Sequence, residues 1–452
     1  MRPIRIGLLG VGTVGGGTFT VLARNAEEIH RRAGRELRIA AIAEKDVEKA
    51  ERMVAGWQGA HGSSRRGRDA GDDIRITADA FGLAADPSID IIIELIGGCG
   101  VAKDLVLAAI AHGKHVVTAN KALLATHGNE IFAAAQEKGV MVAFEGAVAG
   151  GIPIIKAVRE GLAANRIEWI AGIINGTSNF ILSSMRDRGL SFAAALAEAQ
   201  RRGYAEADPT FDIEGVDAAH KITILSALAF GTPMQFQRAY TEGIAKLDEL
   251  DIRYAGELGY RIKLLGITRR AEHGIELRVH PTLIPARRLI ANVEGVMNAV
   301  LVKGDAVGAT LYYGAGAGAE PTASAVVADL VDVARTMTSD PENRVPHLAF
   351  QADRLTSLPI LPMEEVTTSY YLRMRVLDQP GVLADITRIL ADLSISIDAM
   401  VQKEPQEGED QVDIIMLTHE TRERNVNDAL ARIEGLPVVM GRVTRIRLES
   451  LL

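Results

Sequence analysis

The sequence feature that most constrains the fold is an apolar run that ends in a glycine-rich turn. Residues 4–9 (IRIGLL) have the length and composition of a buried strand, and residues 16–32 carry the apolar periodicity of a helix. The turn between them consists of Gly10, Val11, Gly12, Thr13, Val14 and Gly15. Strand, GxGxxG turn and helix in this order are typical of a dinucleotide-binding sheet, because the glycines let the backbone approach a pyrophosphate at the helix start. A tight turn that binds nothing is the alternative.

The second predicted strand, residues 37–43, ends at an acid that bears on the choice of cofactor. Glu44 lies where a carboxylate accepts hydrogen bonds from the adenosine ribose, which favours NAD. Lys45 follows directly, and a cation beside the ribose would tolerate the extra phosphate of NADP. Both NAD and NADP therefore remain candidates. The polar segment 56–73 predicts a solvated loop, although its arginines could also reach a phosphate.

Further apolar runs extend the pattern to about residue 150. Residues 89–96, 115–118 and 141–144 predict strands, and helical periodicity follows the first of them. Alternating strands and helices indicate an α/β fold with a Rossmann-type, doubly wound parallel sheet. The glycine-rich segment 314–319 (GAGAGA) and the helix predicted after it would return the chain to this sheet.

The length of the chain requires more than one core. It has 452 residues, whereas single cores stop growing at roughly 250–300 residues. We expect a dinucleotide-binding domain over residues 1–150, completed by about 315–340, and a mixed α/β substrate and dimerisation domain over 151–314. A proline-containing linker, 341–365, would lead to a separate domain, 366–452. The apolar pattern of that last domain predicts the order βαββαβ of a ferredoxin-like fold.

Composition excludes several classes of function. The net charge is −8 and long basic stretches are lacking, so we expect no nucleic acid as a partner. One cysteine, Cys99, excludes an intrachain disulfide. The N-terminus does not have the pattern of a signal peptide, and apolar runs stay short of about 18 residues. We expect a soluble cytoplasmic protein without a membrane partner.

The segment 203–221 (GYAEADPTFDIEGVDAAHK) concentrates acids before a single lysine. Asp217 and Lys221 are four positions apart, which places them on one face of a helix whose continuation is apolar. A lysine held by carboxylates in a partly buried pocket can exchange a proton with an alcohol oxygen. Glu206 and Asp212 would receive the ammonium group of a small substrate. A buried ion-pair network without catalytic role is the alternative.

Lys121 is a second candidate, because it follows a predicted parallel strand and so lies at the edge of the sheet where ligands bind. The alternative is a solvated lysine at the start of a helix. The histidines lack the spacing of metal ligands.

Together these motifs resemble homoserine dehydrogenase of the type with a C-terminal ACT regulatory domain. The resemblance covers nearly the whole chain. It rests on seven blocks: GVGTVG at 10–15, ELIGG at 94–98, VVTANKALLA at 116–125, EGAVAGGIPII at 145–155, GIINGTSNFIL at 172–182, the acidic segment 203–221 and GAGAGAEPTASAVVAD at 314–329. The acidic segment is the most specific of them and GxGxxG the least.

The resemblance implies reversible reduction of aspartate 4-semialdehyde to homoserine with NAD(P)H. Lys221 would exchange the proton with the substrate oxygen, Lys121 would lie between nicotinamide and substrate, and Glu206, Asp212 and Asp217 would bind the substrate or orient the lysine. The expected cofactor-binding residues are Gly10, Val11, Gly12, Thr13, Val14, Gly15, Glu44, Lys45, Gly97, Lys121 and Gly318.

The resemblance also implies two further ligands and an assembly. Oxygens of Glu145, Val148, Gly150 and Ile152 would bind a sodium ion, since carbonyl oxygens suit a hard cation. The turn with Asp378, Gly381 and Val382 would bind an amino-acid effector, with threonine as the expected inhibitor, and the enzyme would be a homodimer or homotetramer. A dehydrogenase of another small amino or hydroxy acid and a non-catalytic amino-acid sensor are the rival functions.

Overall fold

The computed structural model describes residues 2–61, 74–403 and 410–451. Contacts between Cα atoms divide the chain into two compact units. The first unit comprises Met1–Ile170, His220–Gln237 and Met297–Ser357. The second unit comprises Ala171–Ala219, Arg238–Val296 and Leu358–Leu452.

Strands and helices alternate through the first third of the chain, and further strands follow in the rest of it. The strands are β1 (Ile4–Leu9), β2 (Leu37–Ala43), β3 (Arg75–Thr77), β4 (Ile91–Glu94), β5 (His115–Thr118), β6 (Val142–Ala143), β7 (Ile167–Ile173), β8 (Tyr240–Thr241), β9 (Tyr260–Arg270), β10 (Ile275–Pro285), β11 (Met297–Gly304), β12 (Gly308–Ala315), β13 (Thr367–Leu377), β14 (Ile397–Gln402), β15 (Gln411–Thr418), β16 (Thr421–Arg422) and β17 (Val439–Leu448).

The helices are α1 (Thr13–Arg24), α2 (Ala26–Ala33), α3 (Val47–His61), α4 (Ala80–Ala85), α5 (Gly100–Ala111), α6 (Lys121–Lys138), α7 (Ile154–Lys156), α8 (Gly176–Arg188), α9 (Phe192–Arg201), α10 (Thr210–Ile213), α11 (Val216–Phe230), α12 (Glu249–Glu257), α13 (Ala319–Thr336), α14 (Val382–Asp392) and α15 (Glu423–Glu434).

The first unit contains a six-stranded parallel sheet with the order β3-β2-β1-β4-β5-β6. The predicted doubly wound parallel sheet is therefore confirmed. The strand order reverses between β1 and β4, and ligands bind at such a switch point, outside the carboxyl ends of the strands. Helix α13 packs against α1 in the same unit, where Arg24 and Glu320 form an ion pair of 2.8 Å. The core consists of apolar side chains of β1, β2 and β4 together with those of α1 and α13.

In the second unit the main sheet runs in the order β9-β10-β17-β13-β15-β14. Strands β13, β14, β15 and β17 with helices α14 and α15 form the predicted ferredoxin-like βαββαβ fold around its own apolar core. The last strand, β17, pairs antiparallel with β13 and also parallel with β10, through Thr282–Arg447 and Leu283–Leu448. The C-terminal domain thus shares hydrogen-bonded backbone with the preceding part of its unit.

The structure differs from the sequence predictions in three elements. The single helix expected over residues 16–32 is two helices, since Asn25 ends α1 and precedes α2. The segment 56–73 is not a loop throughout, because α3 continues to His61, and its remainder lies outside the described residues. Strand β9 was not predicted.

Strand β9 pairs with β10 along its whole length, and its polar side chains have partners that are distant in sequence. The Lys263 ammonium group donates to Asn179 Oδ1 at 3.0 Å and to the Val293 carbonyl at 2.6 Å, and Arg261 donates to Glu294 at 2.7 Å. A buried lysine in the middle of a strand interrupts the apolar pattern from which a strand is predicted, and this explains why β9 was missed. Among the helices of the described residues, none combines the length and the hydropathy that crossing a membrane requires.

Candidate active site

The glycine turn after β1 is shaped by its backbone. Gly10 has a φ of 90°, in the left-handed region that favours glycine. A Cβ atom at Gly15 would lie 2.0 Å from the Gly10 carbonyl oxygen, so only glycine fits there. Gly12 precedes helix α1, faces open space, and makes no side-chain cap. The first amides of α1 are therefore oriented for an anionic group, as a pyrophosphate site requires.

Glu44 and Lys45 follow the adjacent strand β2. The Glu44 carboxylate accepts from the Val11 amide at 2.8 Å and from the Lys45 amide at 2.9 Å. Glu44 thereby joins the end of β2 to the glycine turn, a contact that sequence reasoning did not anticipate. An acid held in this place can still offer its remaining lone pairs to ribose hydroxyls.

A second carboxylate, Glu94, organises the other side of the switch point. It is buried at the end of β4, and it accepts from the amides of Ile96 at 2.9 Å and Gly97 at 3.2 Å. The Thr118 hydroxyl, at the end of β5, donates to the other oxygen of Glu94 at 2.7 Å. Sequence reasoning missed Glu94, although an acid at the end of an apolar strand was a signal that could have identified it. This carboxylate fixes the loop that carries Gly97.

Asn120 places Lys121 at the start of helix α6. The side-chain oxygen of Asn120 accepts from the Leu123 amide at 3.1 Å, which makes Asn120 the N-cap of the helix. The side-chain nitrogen of Asn120 donates to the Gly98 carbonyl at 2.7 Å. The Asn120 amide nitrogen of the main chain donates to Thr118 Oγ1 at 3.0 Å. Lys121 therefore begins a helix at the carboxyl edge of β5, the predicted location, and it is half-buried.

The loop with Glu145, Val148, Gly150 and Ile152 is buried in the first unit. The Glu145 carboxylate accepts from the amides of Ile155 at 2.8 Å and Lys156 at 2.9 Å. Burial raises the pKa of Glu145, and these amides oppose the rise. The Glu145 amide donates to Asp329 at 2.7 Å, and burial, together with the neighbouring Glu145, raises the pKa of Asp329 to about 7.

Residues 203–219 of the acidic segment lie in the second unit, where Asn175 gathers two of the carboxylates. The Asn175 side-chain amide donates to Asp212 Oδ1 at 2.7 Å and to Asp217 Oδ2 at 2.9 Å, while its oxygen accepts from Ser178 and caps helix α8. Asn175 and Asp217 are buried, Asp212 is half-buried and Glu206 is exposed. The structure thus brings Asp212 and Asp217 together through a residue whose bridging role the sequence did not reveal.

Helix α11 carries both Asp217 and Lys221, as predicted from their spacing. Lys221 is 8% exposed, and the helix around it is buried nearly throughout. Lys221 is therefore largely shielded from solvent.

The turn before helix α14 is exposed at Asp378 and Gly381, and Val382 is buried. Gly381 precedes the helix with a φ of 94° and makes no side-chain cap. The first amides of α14 therefore point away from the helix next to a glycine that leaves room for a ligand.

Comparisons with known proteins decide the family. Family models described as homoserine dehydrogenase, its NAD-binding domain and the ACT domain match residues 153–331, 10–145 and 370–438. A curated homoserine dehydrogenase of Pseudomonas aeruginosa is 61% identical over an alignment of 453 positions that covers 100% of both chains. The chain belongs to the homoserine dehydrogenase family. The resemblance inferred from the sequence blocks is confirmed.

Solved structures of the family agree with this assignment. A homoserine dehydrogenase from Thiobacillus denitrificans is 69% identical, has a TM-score of 0.92, and is matched over 100% of this chain and 99% of its own. A hyperthermophilic archaeal homoserine dehydrogenase in complex with NADPH is 26% identical, with a TM-score of 0.60, over 73% of this chain and 97% of its own. The archaeal relative therefore matches less of this chain than the bacterial one does.

The predicted activity follows from family membership. The protein is an NAD(P)-dependent oxidoreductase that acts on a CH–OH group and interconverts homoserine and aspartate 4-semialdehyde. The two rival functions, a dehydrogenase of another small acid and a non-catalytic sensor, are set aside by these relatives. The C-terminal ACT domain is confirmed as well.

Proposed function

We propose that Lys221 exchanges the proton with the substrate oxygen while Asp217, one helical turn earlier, helps to orient it. The observation that carries this proposal is the Asn175 bridge, which gathers Asp212 and Asp217 at the start of the buried helix that bears Lys221. Carboxylates in fixed positions beside a desolvated lysine can keep its proton affinity within the range of general acid–base catalysis.

Glu206 and Asp212 would receive the ammonium group of the amino-acid substrate. Asp212 is held by Asn175 at 2.7 Å, so one carboxylate stands in place before the substrate arrives, whereas Glu206 is exposed and free to approach it. Lys121, at the start of α6, would contact both nicotinamide and substrate. This division of roles explains why so many acids accompany one lysine.

The cofactor would bind along the carboxyl edge of the parallel sheet. The turn Gly10–Gly15 would hold the pyrophosphate, Glu44 and Lys45 the adenosine ribose, and Gly97 and Gly318 the nicotinamide half. The reduced nicotinamide supplies the hydride when it is bound. The open space at Gly12 and the uncapped start of α1 fit such a ligand. The archaeal relative is in complex with NADPH, whereas Glu44 favours NAD. We therefore propose that the enzyme uses both NAD and NADP.

A sodium ion would bind to main-chain oxygens of Glu145, Val148, Gly150 and Ile152. The Glu145 carboxylate already accepts two amide hydrogen bonds, which leaves its carbonyl as the ligand. Ala149 has a φ of 54°, unusual for a residue with a side chain, and such a bend can turn neighbouring carbonyls to one side. Carbonyl oxygens suit a hard cation. The sodium ion would stiffen this loop.

Residues 366–452 would act as a regulatory domain, with 341–365 as the linker, and would bind threonine at Asp378, Gly381 and Val382. Here the uncapped start of α14 can meet the carboxylate of an amino acid. Pairing of these domains in a homodimer or homotetramer would provide two arrangements between which threonine discriminates.

The catalytic proposal is tested by Lys221→Ala, with the exposed Lys246→Ala as control. We expect kcat to fall by about a hundred- to ten-thousandfold, while NAD(P)H binding measured by fluorescence and the far-ultraviolet circular dichroism stay unchanged. A folded Lys221→Ala enzyme with near-normal turnover would refute the assignment.

The regulatory proposal is tested with the full-length chain, because β17 pairs with β10 and a truncation would expose that strand. Gly381→Asp would crowd and repel the effector carboxylate, so we expect normal activity without threonine and no inhibition with it. Gly441→Asp is the matched control, since Gly441 also has a positive φ of 78° and open space. Steady-state assays with NADH and NADPH, with and without threonine, measure both outcomes, and retained inhibition in Gly381→Asp would place the effector elsewhere.

A further inference from the structure

The second unit contains a buried ion network that no step of the proposed chemistry uses. Arg447 on β17 is 1% exposed, and its guanidinium donates to Glu423 Oε2 at 2.8 Å and to Glu242 Oε2 at 2.8 Å. The hydroxyl of Tyr240 donates to Glu242 at 2.7 Å and accepts from Arg447 at 3.0 Å. Tyr370 on β13 donates to Glu423 at 2.9 Å. The network therefore joins β8 and the residue after it to the ferredoxin-like domain.

The charges of this network are balanced. Arg445 lies 3.0 Å from Glu423 and 4.0 Å from Glu242, so two guanidinium groups face two carboxylates. Although burial alone would raise the pKa of Glu242, Arg447 holds it below its ordinary value, and the carboxylate is ionised at neutral pH. Removing one partner would leave a buried charge without its counterion.

The backbone beside Glu242 holds the acidic segment. The Ile244 amide donates to the Ile213 carbonyl at 2.8 Å. A Cβ atom at Gly243 would lie 2.3 Å from that same carbonyl oxygen and 2.5 Å from the Glu214 Cα, so the two stretches are in direct backbone contact. Ile213 follows Asp212 in α10. Residues 242–244 are therefore in direct contact with the backbone that carries Asp212.

On the other side, residues 242–247 are only partly covered by the C-terminal domain. A half-open cavity of about 600 Å³ is lined by Gly243 and Lys246 together with Leu430 on α15 and Arg442 on β17. Glu242 and Arg445 line the same cavity. Incomplete packing leaves room for the two walls to shift, and the ion network is the tight connection across it.

We propose that Glu242 is a positioning residue: through Arg447 and Tyr240 it couples the C-terminal domain to the Asp212 segment and thereby sets the affinity for homoserine. The inference rests on the proposed substrate role of Asp212 and extends the proposed regulation by naming its route. Effector binding that moves β17 or α15 would move Arg447, then Glu242, then the acidic segment. All of these residues lie in one compact unit.

The test uses the full-length enzyme with Glu242→Gln, which keeps the shape of the side chain and removes its charge. We expect the KM for homoserine to rise about three- to thirtyfold, with kcat and the KM for NADP changed little. Inhibition by threonine should weaken in the same variant, because the connection is loosened. Glu249→Gln removes the same charge from an exposed position at the start of α12 and should behave as wild type.

Tyr240→Phe provides a second, milder variant that deletes one hydroxyl from the network. It should raise the KM for homoserine in the same direction by a smaller factor, and it decides the question if Glu242→Gln does not fold. An unchanged KM for homoserine in the folded variants overturns the proposal. A parallel rise in both Michaelis constants with a fall in kcat also overturns it, since that pattern indicates general loosening.

Asp212→Asn separates this inference from the function on which it rests. If Asp212→Asn raises the KM for homoserine and Glu242→Gln does not, only the coupling is wrong. If Asp212→Asn has no effect, the substrate role of the acidic segment fails and the coupling fails with it. If the wild-type enzyme does not respond to threonine, the regulatory assignment and the proposed route for it fail, and the KM values still decide whether Glu242 positions the segment.

Discussion

The turn after β1 and the acidic segment both present ligand-binding groups, and they are held by different forces. In the turn, Gly10 and Gly15 set the geometry through their backbone alone, with a φ of 90° at the first and no space for a Cβ atom at the second. In the acidic segment, Asp212 and Asp217 are positioned by the side chain of Asn175, which precedes them by 37 and 42 residues. A site fixed by backbone tolerates no added atom, whereas a site fixed by a side chain depends on one hydrogen-bond donor.

Among the changes that test this comparison, the largest effect is expected from Gly15→Ala. Its Cβ atom would lie 2.0 Å from the Gly10 carbonyl oxygen, so the turn must move, and a displacement of about 1 Å can cost on the order of a hundredfold in rate. We expect kcat/KM for the cofactor to fall by at least that factor. Gly16→Ala is the control, since the nearest atom to its Cβ would be Met53 Sδ at 3.7 Å. Equal activity of the two variants would contradict control by the backbone.

Asn175→Ala tests the side-chain arrangement. Loss of hydrogen bonds to two carboxylates costs about 1.5–3 kcal/mol, which predicts a fall in kcat/KM for homoserine of roughly ten- to hundredfold, with the KM for the cofactor unchanged. Asn129→Ala is the matched control, because Asn129 makes two hydrogen bonds to the Met234 backbone in the first unit. Homoserine kinetics like those of the control would mean that Asn175 only caps its helix.

Acid should lower the stability of the first unit through its buried histidines. Burial lowers the pKa of His115 to about 4, Arg344 adds to the shift and Asp90 opposes it. The unfolded chain, with a histidine pKa of about 6.5, then binds more protons, so stability falls as the pH drops from about 6.5 to about 4, by roughly 2 kcal/mol at pH 5. His115→Asn should remove this contribution and leave that of His347, whose pKa burial also lowers to about 4, whereas exposed His112→Asn should remove neither. Denaturant unfolding at pH 7 and pH 5 measures it, and equal losses in the three proteins would exclude His115 as the cause.

The second unit should lose stability in acid in two stages, because burial lowers the pKa of His280 well below its ordinary value and the carboxylates titrate only at lower pH. Although burial alone would raise it, Arg278 and Arg269 lower the pKa of Glu449 below its ordinary value. A lowered carboxyl pKa stabilises the fold above the unfolded value and is lost only as the pH falls below about 4.5. Hydrogen-exchange probes in the second unit should therefore report a first loss of stability below about pH 6.5 and a second below about pH 4.5.

The smallest effect is expected at Glu44, where backbone and side chain act together. Glu44→Ala removes the acceptor for the ribose, which predicts a fall of about fivefold in the ratio of kcat/KM for NAD over NADP, the equivalent of roughly 1 kcal/mol. It also frees the Val11 amide, now bonded at 2.8 Å. Glu44→Gln keeps an acceptor for that amide and separates the two effects. An unchanged ratio in both variants would show that Glu44 serves the turn and not the ribose.

Much of the first unit was predictable because its signals are local. A parallel strand covered on both faces must be a continuous apolar run, as in residues 91–93 (III), and a turn that approaches a pyrophosphate must contain glycine. The spacing of Asp217 and Lys221 on one helix was equally local. The boundary between α1 and α2 was missed because one polar residue, Asn25, interrupts an otherwise helical pattern.

What the sequence by itself determined is therefore the parallel sheet, its glycine turn, the βαββαβ domain and the residue types of the site, since each follows from periodicity, backbone sterics or spacing along one element. Only the tertiary structure decided that Asn175 joins Asp212 to Asp217, that Glu94 anchors the Gly97 loop, and that β17 pairs with β10. These contacts link residues far apart in the chain, and a hydrogen bond between distant side chains leaves no periodic trace in the sequence because either partner alone fits many other environments.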